Sequence, residues 1–362
     1  MRYDLLIAGI LLLGLTVYDL LITAFSTWGA GPVTGRLNRG IWRFLLWTTR
    51  KNGHSKFLNY SGIINIAAVL LMWIVLAWVA NVLMFSSQDL AVVHTSSTIA
   101  ATLGERIYFT GYVLSSMGNG EFMAGTTGWK IYMAVASFTG FVIVTIAISY
   151  LVPVLSAYIS SRKLAIFIST LGISSQEILT NSWNGKNFSL LEQHFPQLAS
   201  SIIQSGQSNL TYPVLFYFHS NNKTFSESVS ILLLDEALTI LLIHVKEEHR
   251  PSNMAIYQLR SAITSYLNAL EKGFIHASDK APPRPEIAAL KEAGIPLNSH
   301  QGEVSEAYEQ LAPRRKSLLG FLESDGWHLD DLMSADNLKD SEPKHGHIQQ
   351  HLARYQRQYP EN

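Results

Sequence analysis

The chain has 362 residues, of which 48% are hydrophobic and 15% are charged, and its 27 Lys and Arg residues balance its 27 Asp and Glu residues. This charged share is low for a soluble protein, and the balanced charge without a basic and aromatic platform predicts no nucleic-acid partner. Because the chain contains no Cys, disulfides, thiolate metal sites and cysteine nucleophiles are excluded. The hydrophobic excess lies in the first 160 residues, which predicts a membrane region followed by a soluble region.

Three segments have the roughly 20 mainly apolar residues that a helix needs to cross a bilayer. They are Leu5 to Phe25, Gly62 to Phe85 and Ile131 to Tyr158. We therefore predict three transmembrane helices, the first within a unit of residues 1–28. A signal peptide is the alternative for this first segment, but its start is not clearly basic and no convincing cleavage site follows it.

Residues 29–61 form a basic linker between the first two predicted spans. Its Lys and Arg residues are Arg36, Arg39, Arg43, Arg50, Lys51 and Lys56. The loop from Ser86 to Gly128 contains only Arg106 as a basic residue. Because cytoplasmic loops carry an excess of Lys and Arg, we predict an integral membrane protein with its N-terminus outside and its C-terminal region in the cytoplasm. Apolar residues at helical spacing predict that the linker is an amphipathic helix, which lies on the inner membrane surface or packs against the next domain.

Asp19 is a polar residue near the inner end of the first predicted span. Because a carboxylate that faces lipid is costly, we expect it to be paired or hydrated, with Arg36 or Arg39 as the partner. An unpaired position among the lipid headgroups is the alternative.

The loop between the second and third spans contains a candidate binding segment. Residues Leu103 to Ser115 predict a short helix with Glu105 in its first turn, where the helix dipole favours negative charge. Gly118 and Gly120 follow it, and glycine tolerates the left-handed backbone that a strand needs if successive carbonyls are to point the same way. A ring of such carbonyls can replace the hydration shell of a cation. A plain turn between two helices is the alternative.

This succession of helix, glycine pair and acid resembles the potassium-channel superfamily of pore-loop tetrameric cation channels, whose filter pattern is Thr-Val-Gly-Tyr-Gly-Asp. Six residues match that pattern in order: Ser116, Met117, Gly118, Asn119, Gly120 and Glu121. Both glycines are kept, while Asn119 stands in the place of the Tyr and Glu121 in the place of the Asp. The resemblance covers about residues 62–160.

The resemblance implies a pore domain of the two-span prokaryotic type, in a prokaryotic inner or plasma membrane. Its parts would be an outer helix over 62–85, a pore helix and filter over 103–121, and an inner helix over 129–160. Tyr108 and Phe109 occupy the places of an aromatic pair that supports the filter. Gly140 occupies the place of an inner-helix hinge, and Pro153 that of a helix kink.

The function that the resemblance implies is a gated cation channel formed by a homotetramer in the lipid bilayer, and not an enzyme. The permeant K⁺ or Na⁺ would bind the backbone carbonyls of Ser116, Met117, Gly118 and Asn119, with no other cofactor. The resemblance implies potassium conduction, but the loss of the Tyr at Asn119 leaves sodium open as a second permeant ion. The alternative is a membrane-anchored sensor or signalling protein whose extracellular loop binds a ligand.

The soluble region is predicted to be mainly helical, so the whole chain is assigned to the all-α class. We predict a cytoplasmic helical domain over 161–280, smaller helices over 281–335 after a Pro-rich linker, and a polar, disordered tail over 336–362. The predicted helices are Ser189 to Gln204, Ser226 to Glu248, Asn253 to Glu271, Pro285 to Gly294 and Glu303 to Glu323, and a capping box begins at Ser174.

Two side-chain groups in the soluble region could suggest chemistry. Asp235 and Glu236 predict that the apolar helix around them is buried at a subunit interface rather than in lipid, and solvation or capping would account for the two acids. His345, His347 and His351 cluster in the tail, where a metal site is not favoured. No nucleotide-binding motif occurs, so a cytoplasmic gating ligand is not identified.

Overall fold

The computed structural model describes residues 1–26, 29–50, 52–118, 120–271, 276–298 and 301–333. Asn119 and the predicted tail with its three His residues lie outside the described residues. The described chain is helical, with helices α1 Tyr3–Phe25, α2 Pro32–Thr48, α3 Ser61–Phe85, α4 Leu103–Leu114, α5 Thr127–Leu171, α6 Ser175–Ser182, α7 Ser189–Glu192, α8 Phe195–Thr211, α9 Glu227–His244, α10 Asn253–Glu271, α11 Ala288–Glu292, α12 Gln301–Ser324 and α13 Leu329–Met333. Short 3₁₀ helices lie at Leu58–Tyr60, Asp89–Ala91, Pro213–Tyr217, Lys223–Phe225 and Glu247–His249. Two strands, β1 Val93–His94 and β2 Phe122–Met123, pair antiparallel.

Three helical segments are long and apolar enough to cross a membrane: Tyr3–Phe25, Leu58–Phe85 and Thr127–Leu171. This confirms the predicted helical class and the predicted number of apolar spans. The backbone N–H of Arg2 donates a hydrogen bond to the carbonyl of Ser87 at 2.7 Å, so α1 begins where α3 ends and the two helices run antiparallel.

Helix α5 continues past the predicted end of the inner helix at residue 160 and ends at Leu171. The boundary predicted there therefore falls inside one continuous helix. Leu164, Ala165 and Ile168 continue the helical spacing of buried side chains, and packing on the C-terminal domain stabilises this extension. Helix α5 therefore belongs to both the membrane region and the C-terminal domain.

Helix α2 begins against the side chain of Asp19, which is fully buried. The Asp19 carboxylate accepts hydrogen bonds from the backbone N–H groups of Val33 at 2.7 Å and Thr34 at 3.1 Å, and from the indole of Trp73 at 3.0 Å. The prediction of an Arg36 or Arg39 partner is therefore wrong, because the free N–H groups and positive dipole end of α2 supply the compensation instead.

The linker helix α2 packs against the rest of the membrane region. Trp42 and Leu45 are buried in one hydrophobic cluster with side chains of α1, α3 and α5. Its other face leaves Phe44 and Trp47 exposed. The predicted packing of α2 against the next domain is therefore confirmed, and its contact with the inner membrane surface stays a prediction.

The C-terminal domain is built around α9, which is buried along nearly its whole length. Helices α5, α6, α10 and α12 pack against it, and together with α8 they contribute to one hydrophobic cluster. The prediction of a buried helix here is confirmed, but its neighbours belong to the same chain. Ser226 caps α9 by accepting a hydrogen bond from the backbone N–H of Val229.

Asp235 and Glu236 are buried on α9, which contradicts their interpretation as solvated or capping residues. Asp235 accepts three hydrogen bonds from Arg314, the closest at 2.6 Å from Nη2 to Oδ1, and Glu236 accepts two from Arg315, the closer at 2.7 Å. Adjacent acids on a helix point in different directions, and here each direction meets an arginine of α12. The sequence did not indicate these ion pairs, because Arg314 and Arg315 are far along the chain from Asp235 and Glu236.

Candidate functional site

The first turn of α4, the helix that precedes the predicted filter residues Ser116 to Glu121, is held by hydrogen bonds between Thr102 and Glu105. Thr102 and Glu105 form a capping box, in which the Thr102 backbone N–H donates to the Glu105 carboxylate at 2.7 Å. These hydrogen bonds from Thr102 lower the pKa of Glu105. The predicted helix with an acidic first turn is therefore confirmed.

Arg106 ties the same turn to the end of α3. Its guanidinium is buried and donates to the backbone carbonyls of Ala101 at 2.9 Å, Phe85 at 3.0 Å and Asp89 at 3.1 Å. Together with the Gln88 carbonyl at 3.3 Å, these acceptors from two segments hold the beginning of α4 beside the C-terminal end of α3. From sequence, Arg106 was only the single basic residue of its loop.

From this anchored start, α4 runs back between α3 and α5. The indole N–H of Trp78 on α3 donates to the carbonyl of Ile107 at 3.0 Å, and Gly111 faces the same ring. The carbonyl of Leu114, at the end of α4, lies directly against Gly140 of α5. Gly140 is 13 residues after Thr127, which is about 20 Å along a helix. The end of α4 therefore lies deep beside the apolar part of α5.

The contact with the Leu114 carbonyl explains why position 140 is a glycine, and this reason is separate from the predicted hinge role. A side chain at position 140 would overlap the Leu114 backbone. Glycine is thus required for α4 to end at this depth, whether or not α5 bends there. Pro153 lies within the same continuous helix.

After α4 the backbone alternates in handedness. Ser116, Gly118 and Gly120 have positive φ angles of 57°, 61° and 69°, whereas Met117 does not. Nothing lies within 4 Å of a Cβ built at Gly118 or Gly120. The backbone conformation, and not crowding, therefore selects glycine at these two positions.

The residues after Gly120 connect the end of α4 to strand β2 of the small sheet. β2 pairs with β1 in the register Val93 with Met123 and His94 with Phe122. Thr95 extends this pairing, since its N–H donates to the carbonyl of Glu121 at 3.1 Å and its hydroxyl donates to the carbonyl of Gly120 at 2.8 Å. The far end of the segment is thereby fixed to residues that follow α3.

Tyr112 of α4 holds both ends of the segment. Its carbonyl accepts from the N–H of Met117 at 3.0 Å, and its buried hydroxyl donates to the carbonyl of Phe122 at 2.8 Å. Sequence reasoning missed Tyr112 and Thr95. The available signal for Tyr112 was its spacing of three and four residues from the two aromatic residues before it on α4.

The predicted aromatic pair is divided between two environments. Phe109 is buried against the ring of Phe85 at a centroid distance of 5.1 Å, within the packing of α4 on α3. Tyr108 is partly exposed and its ring contacts that of Tyr112 at 5.5 Å. Phe109 also contacts the Tyr112 ring, at a centroid distance of 5.2 Å, so both predicted residues lie beside Tyr112. Tyr108 in addition contacts the ring of Phe122, at 6.3 Å.

The other predicted site residues lie on the surface of the single chain. Ser116, Met117, Gly118, Gly120 and Glu121 are exposed, and Met117 retains 65% of its accessible surface. The Ser116 hydroxyl lies 3.1 Å from that of Ser137 on α5. Among the described residues there is no cluster of three or more His, Asp or Glu side chains that could hold a metal ion.

These features define a helical membrane protein with three apolar spans and a helical C-terminal domain. The chain belongs to the same family as the uncharacterized membrane protein YdjJ of Bacillus subtilis (strain 168), to which it is 33% identical over 324 residues. The match covers 88% of this chain and 93% of that protein, so it includes both the membrane region and the C-terminal domain. No protein-family model and no solved structure matches the chain.

Proposed function

We propose that this protein is a gated cation channel in which four copies of the segment from Ser116 to Glu121 surround one ion pathway. The observation that carries the proposal is the alternation of handedness at Ser116, Met117 and Gly118, at the end of a helix that lies between two apolar spans. A residue in the left-handed region reverses the direction of its peptide relative to a strand. Alternation can therefore turn successive carbonyls toward one side.

A row of carbonyls on one side of a single chain coordinates a cation poorly. A closed ring that replaces a hydration shell requires several copies around an axis, and in pore-loop channels there are four. The exposure of the segment in the single chain supports this arrangement, because these residues would face the axis and one another in the assembly.

The charges near the segment favour a cation. The C-terminal end of α4 carries the negative end of the helix dipole and would point toward the central cavity of a tetramer. Glu121 is exposed at the end of the segment that joins the sheet, where four copies would concentrate cations by their field.

The orientation that fits this function places the β1–β2 side outside the cell and the C-terminal domain in the cytoplasm of a prokaryote. The basic residues of α2 then lie on the inner side, as expected from the distribution of Lys and Arg in membrane proteins. The C-terminal domain would control opening through α5, since this one helix belongs to both regions.

Ion flux into liposomes tests the proposal. Purified protein should admit rubidium or sodium above the level of protein-free vesicles. Gly118→Ala should abolish most of this flux without unfolding the protein, because an L side chain at φ 61° is strained although space is available. Gly128→Ala is the matched control, since Gly128 also has open space around it but lies in the first turn of α5.

Two results would count against a channel. One is the absence of rubidium and sodium flux under every condition tried, and the other is chemical crosslinking in membranes that stops at dimers. The second result would favour the alternative of a membrane-anchored sensor, which needs no carbonyl ring.

A further inference from the structure

A cavity of about 540 Å³ lies where the membrane region meets the C-terminal domain. Its wall includes α2, the C-terminal part of α5, the first turn of α9 and the end of α12. The aromatic side chains of Trp42 and Tyr158 contribute apolar surface, and charged groups of both signs complete the lining. The volume is sufficient for a small organic ligand.

The basic part of the lining consists of Arg39, Arg43 and Arg162. Arg39 and Arg43 are one turn apart on α2 and therefore lie on the same face. The guanidinium of Arg162 lies 4.1 Å from the centre of the Phe225 ring. Within the described part of the chain, none of these three arginines has a carboxylate within ion-pair distance. Three arginines without an acid partner favour an anionic ligand group.

Among the described acids of the lining, one has a buried carboxylate oxygen without a hydrogen bond. Glu227 Oε2 accepts a hydrogen bond from Ser161 at 2.8 Å. Glu227 Oε1 is buried and has no hydrogen bond of normal geometry among the described residues, although Tyr266 and Asn209 lie beside the carboxyl group. Burial raises the pKa of Glu227, so a cationic donor would favour its ionised form.

The cavity wall contains two further acids. Glu323 is exposed and accepts a hydrogen bond from Ser278 at 3.4 Å, and Asp325 is already satisfied. Asp325 accepts hydrogen bonds from Ser228 at 2.6 Å and Ser226 at 3.1 Å, and its other oxygen lies 3.0 Å from Nδ1 of His219. Glu227 therefore holds the buried carboxylate oxygen of the wall that remains available to a ligand. Ser161 and Arg162 are adjacent on α5, which brings the acidic and basic parts of the wall together.

We propose that this cavity binds a zwitterionic ligand that carries a phosphate group and a primary ammonium group. The phosphate would bind the three arginines, and the ammonium would donate to Glu227 Oε1. Such a ligand neutralises both parts of the wall at once, which neither a simple anion nor a simple cation does. The proposal concerns binding and does not rest on ion conduction.

Two sources supply this chemistry, namely the phosphoethanolamine headgroup of a membrane lipid and a soluble phosphoethanolamine. Exposed Phe44 and Trp47 follow Arg43 on α2, and such aromatic residues close to an arginine are typical of a helix at the membrane interface. This arrangement favours the lipid source. The two sources are separated by the choice of probe.

The test uses the full-length protein in detergent micelles and measures binding by isothermal titration calorimetry. The soluble probes are phosphoethanolamine, phosphocholine and glycerol 3-phosphate, and the lipid probes are short-chain phosphatidylethanolamine, phosphatidylcholine and phosphatidylglycerol. Phosphocholine keeps the charge but lacks N–H donors, and glycerol 3-phosphate lacks the cation. We expect the ethanolamine member of at least one series to bind about tenfold more tightly than its two counterparts. Binding confined to the lipid series identifies a headgroup, and binding in the soluble series identifies a solute.

Variants assign the contacts. Arg43→Gln combined with Arg162→Gln should weaken binding of the ethanolamine probe by about tenfold or more. Arg36→Gln is the matched control, because Arg36 is an arginine of the same helix that does not line the cavity. Glu227→Gln should remove the preference for ethanolamine over choline and glycerol while phosphate-dependent binding persists. Equal affinity for all three probes of each series in the unmodified protein would overturn the proposal, as would equal losses in the arginine variants and the Arg36 control. The probe comparison needs no variant, so it decides the question even if Glu227→Gln fails to fold.

Discussion

The hydroxyl of Tyr112 donates a hydrogen bond to the backbone carbonyl of Phe122 at 2.8 Å, which joins the helix before the candidate filter to the strand after it. Tyr112→Phe removes this donor and keeps the ring. We expect the fold to lose only about 1 kcal/mol of stability. If the segment is a filter, the variant should discriminate less between potassium and sodium, because its outer end is less firmly held. Reversal potentials in mixed potassium and sodium measure this.

A matched control for Tyr112→Phe is Tyr18→Phe, which removes the same hydroxyl from an exposed position on α1. It should leave the reversal potential unchanged. If the two variants behave alike, the contact between Tyr112 and Phe122 does not control ion preference.

Asn119→Tyr tests the replacement that most separates this sequence from the potassium-channel pattern. Position 119 lies outside the described residues, so this prediction rests on the resemblance. A Tyr ring would supply the aromatic packing that supports a narrow filter, and we expect a reversal potential shifted toward that of potassium. An unchanged reversal potential would show that this position does not set the ion preference.

Much of the fold could be predicted because it depends on local pattern. The apolar lengths of the first two spans, the cap of α6 at Ser174 and the spacing of α10 are determined within short segments, and each forms close to its predicted position. The boundary at residue 160 failed because α5 is stabilised beyond it by packing on distant helices. The hydropathy of the residues near position 160 gives no information about that packing.

The details of the candidate site depend on contacts between distant residues, and these could not be predicted from one sequence. The two glycines identified the segment, but Thr95 contacts it from 25 residues away and Gly140 contacts the end of α4 from the next helix. The same reason explains the error at Asp19. A nearby arginine was the simplest partner in sequence, whereas backbone N–H groups of α2 and the indole of Trp73 are the partners in space.

Asp19→Ala should destabilise the membrane region strongly. It would leave the N-terminal N–H groups of α2 and the Trp73 indole without their acceptor, and each buried unsatisfied donor costs about 1–3 kcal/mol. We expect a clear decrease in the midpoint of thermal unfolding in detergent. Asp4→Ala is the control, since Asp4 is exposed in the first turn of α1 and should have little effect. Similar midpoints for the two variants would show that the Asp19 contacts contribute little to stability.

Glu236→Gln should destabilise the C-terminal domain because it leaves the buried guanidinium of Arg315 without a counter-charge. Breaking one partner of a buried ion pair costs about 3–5 kcal/mol. The midpoint of thermal unfolding should decrease by more than about 5 °C. Glu309→Gln, an exposed position on α12, should change it little.

The double variant Glu236→Met with Arg315→Met distinguishes loss of the pair from loss of packing. It removes both charges together, and we expect it to recover much of the stability that Glu236→Gln loses. A double variant that is less stable than Glu236→Gln would contradict this explanation.

Contacts of His219 predict a stability that decreases as the pH rises above the ordinary histidine pKa of about 6.5. Its ring nitrogens lie 3.0 Å from the Asp325 carboxylate and 2.8 Å from the carbonyl of Gly53, so only the doubly protonated ring donates to both acceptors. Burial opposes the charge, but the Asp325 carboxylate and these hydrogen bonds outweigh it and raise the pKa of His219. Because the pKa is higher in the folded state, the contribution is complete below the unfolded pKa of about 6.5 and is lost as the pH rises through the folded value.

The thermal unfolding midpoint should therefore decrease as the pH is raised from about 6.5 through the folded pKa of His219, and His219→Gln should show a weaker decrease over that range. His328→Gln provides the control, because His328 is an exposed histidine near the end of α12 and its variant should keep the full pH dependence. Contacts of His219 join the loop after α2 to the end of α12, so loss of the proton loosens the membrane region from the C-terminal domain. If His219→Gln and the unmodified protein have the same pH dependence, protonation of His219 does not hold these two regions together.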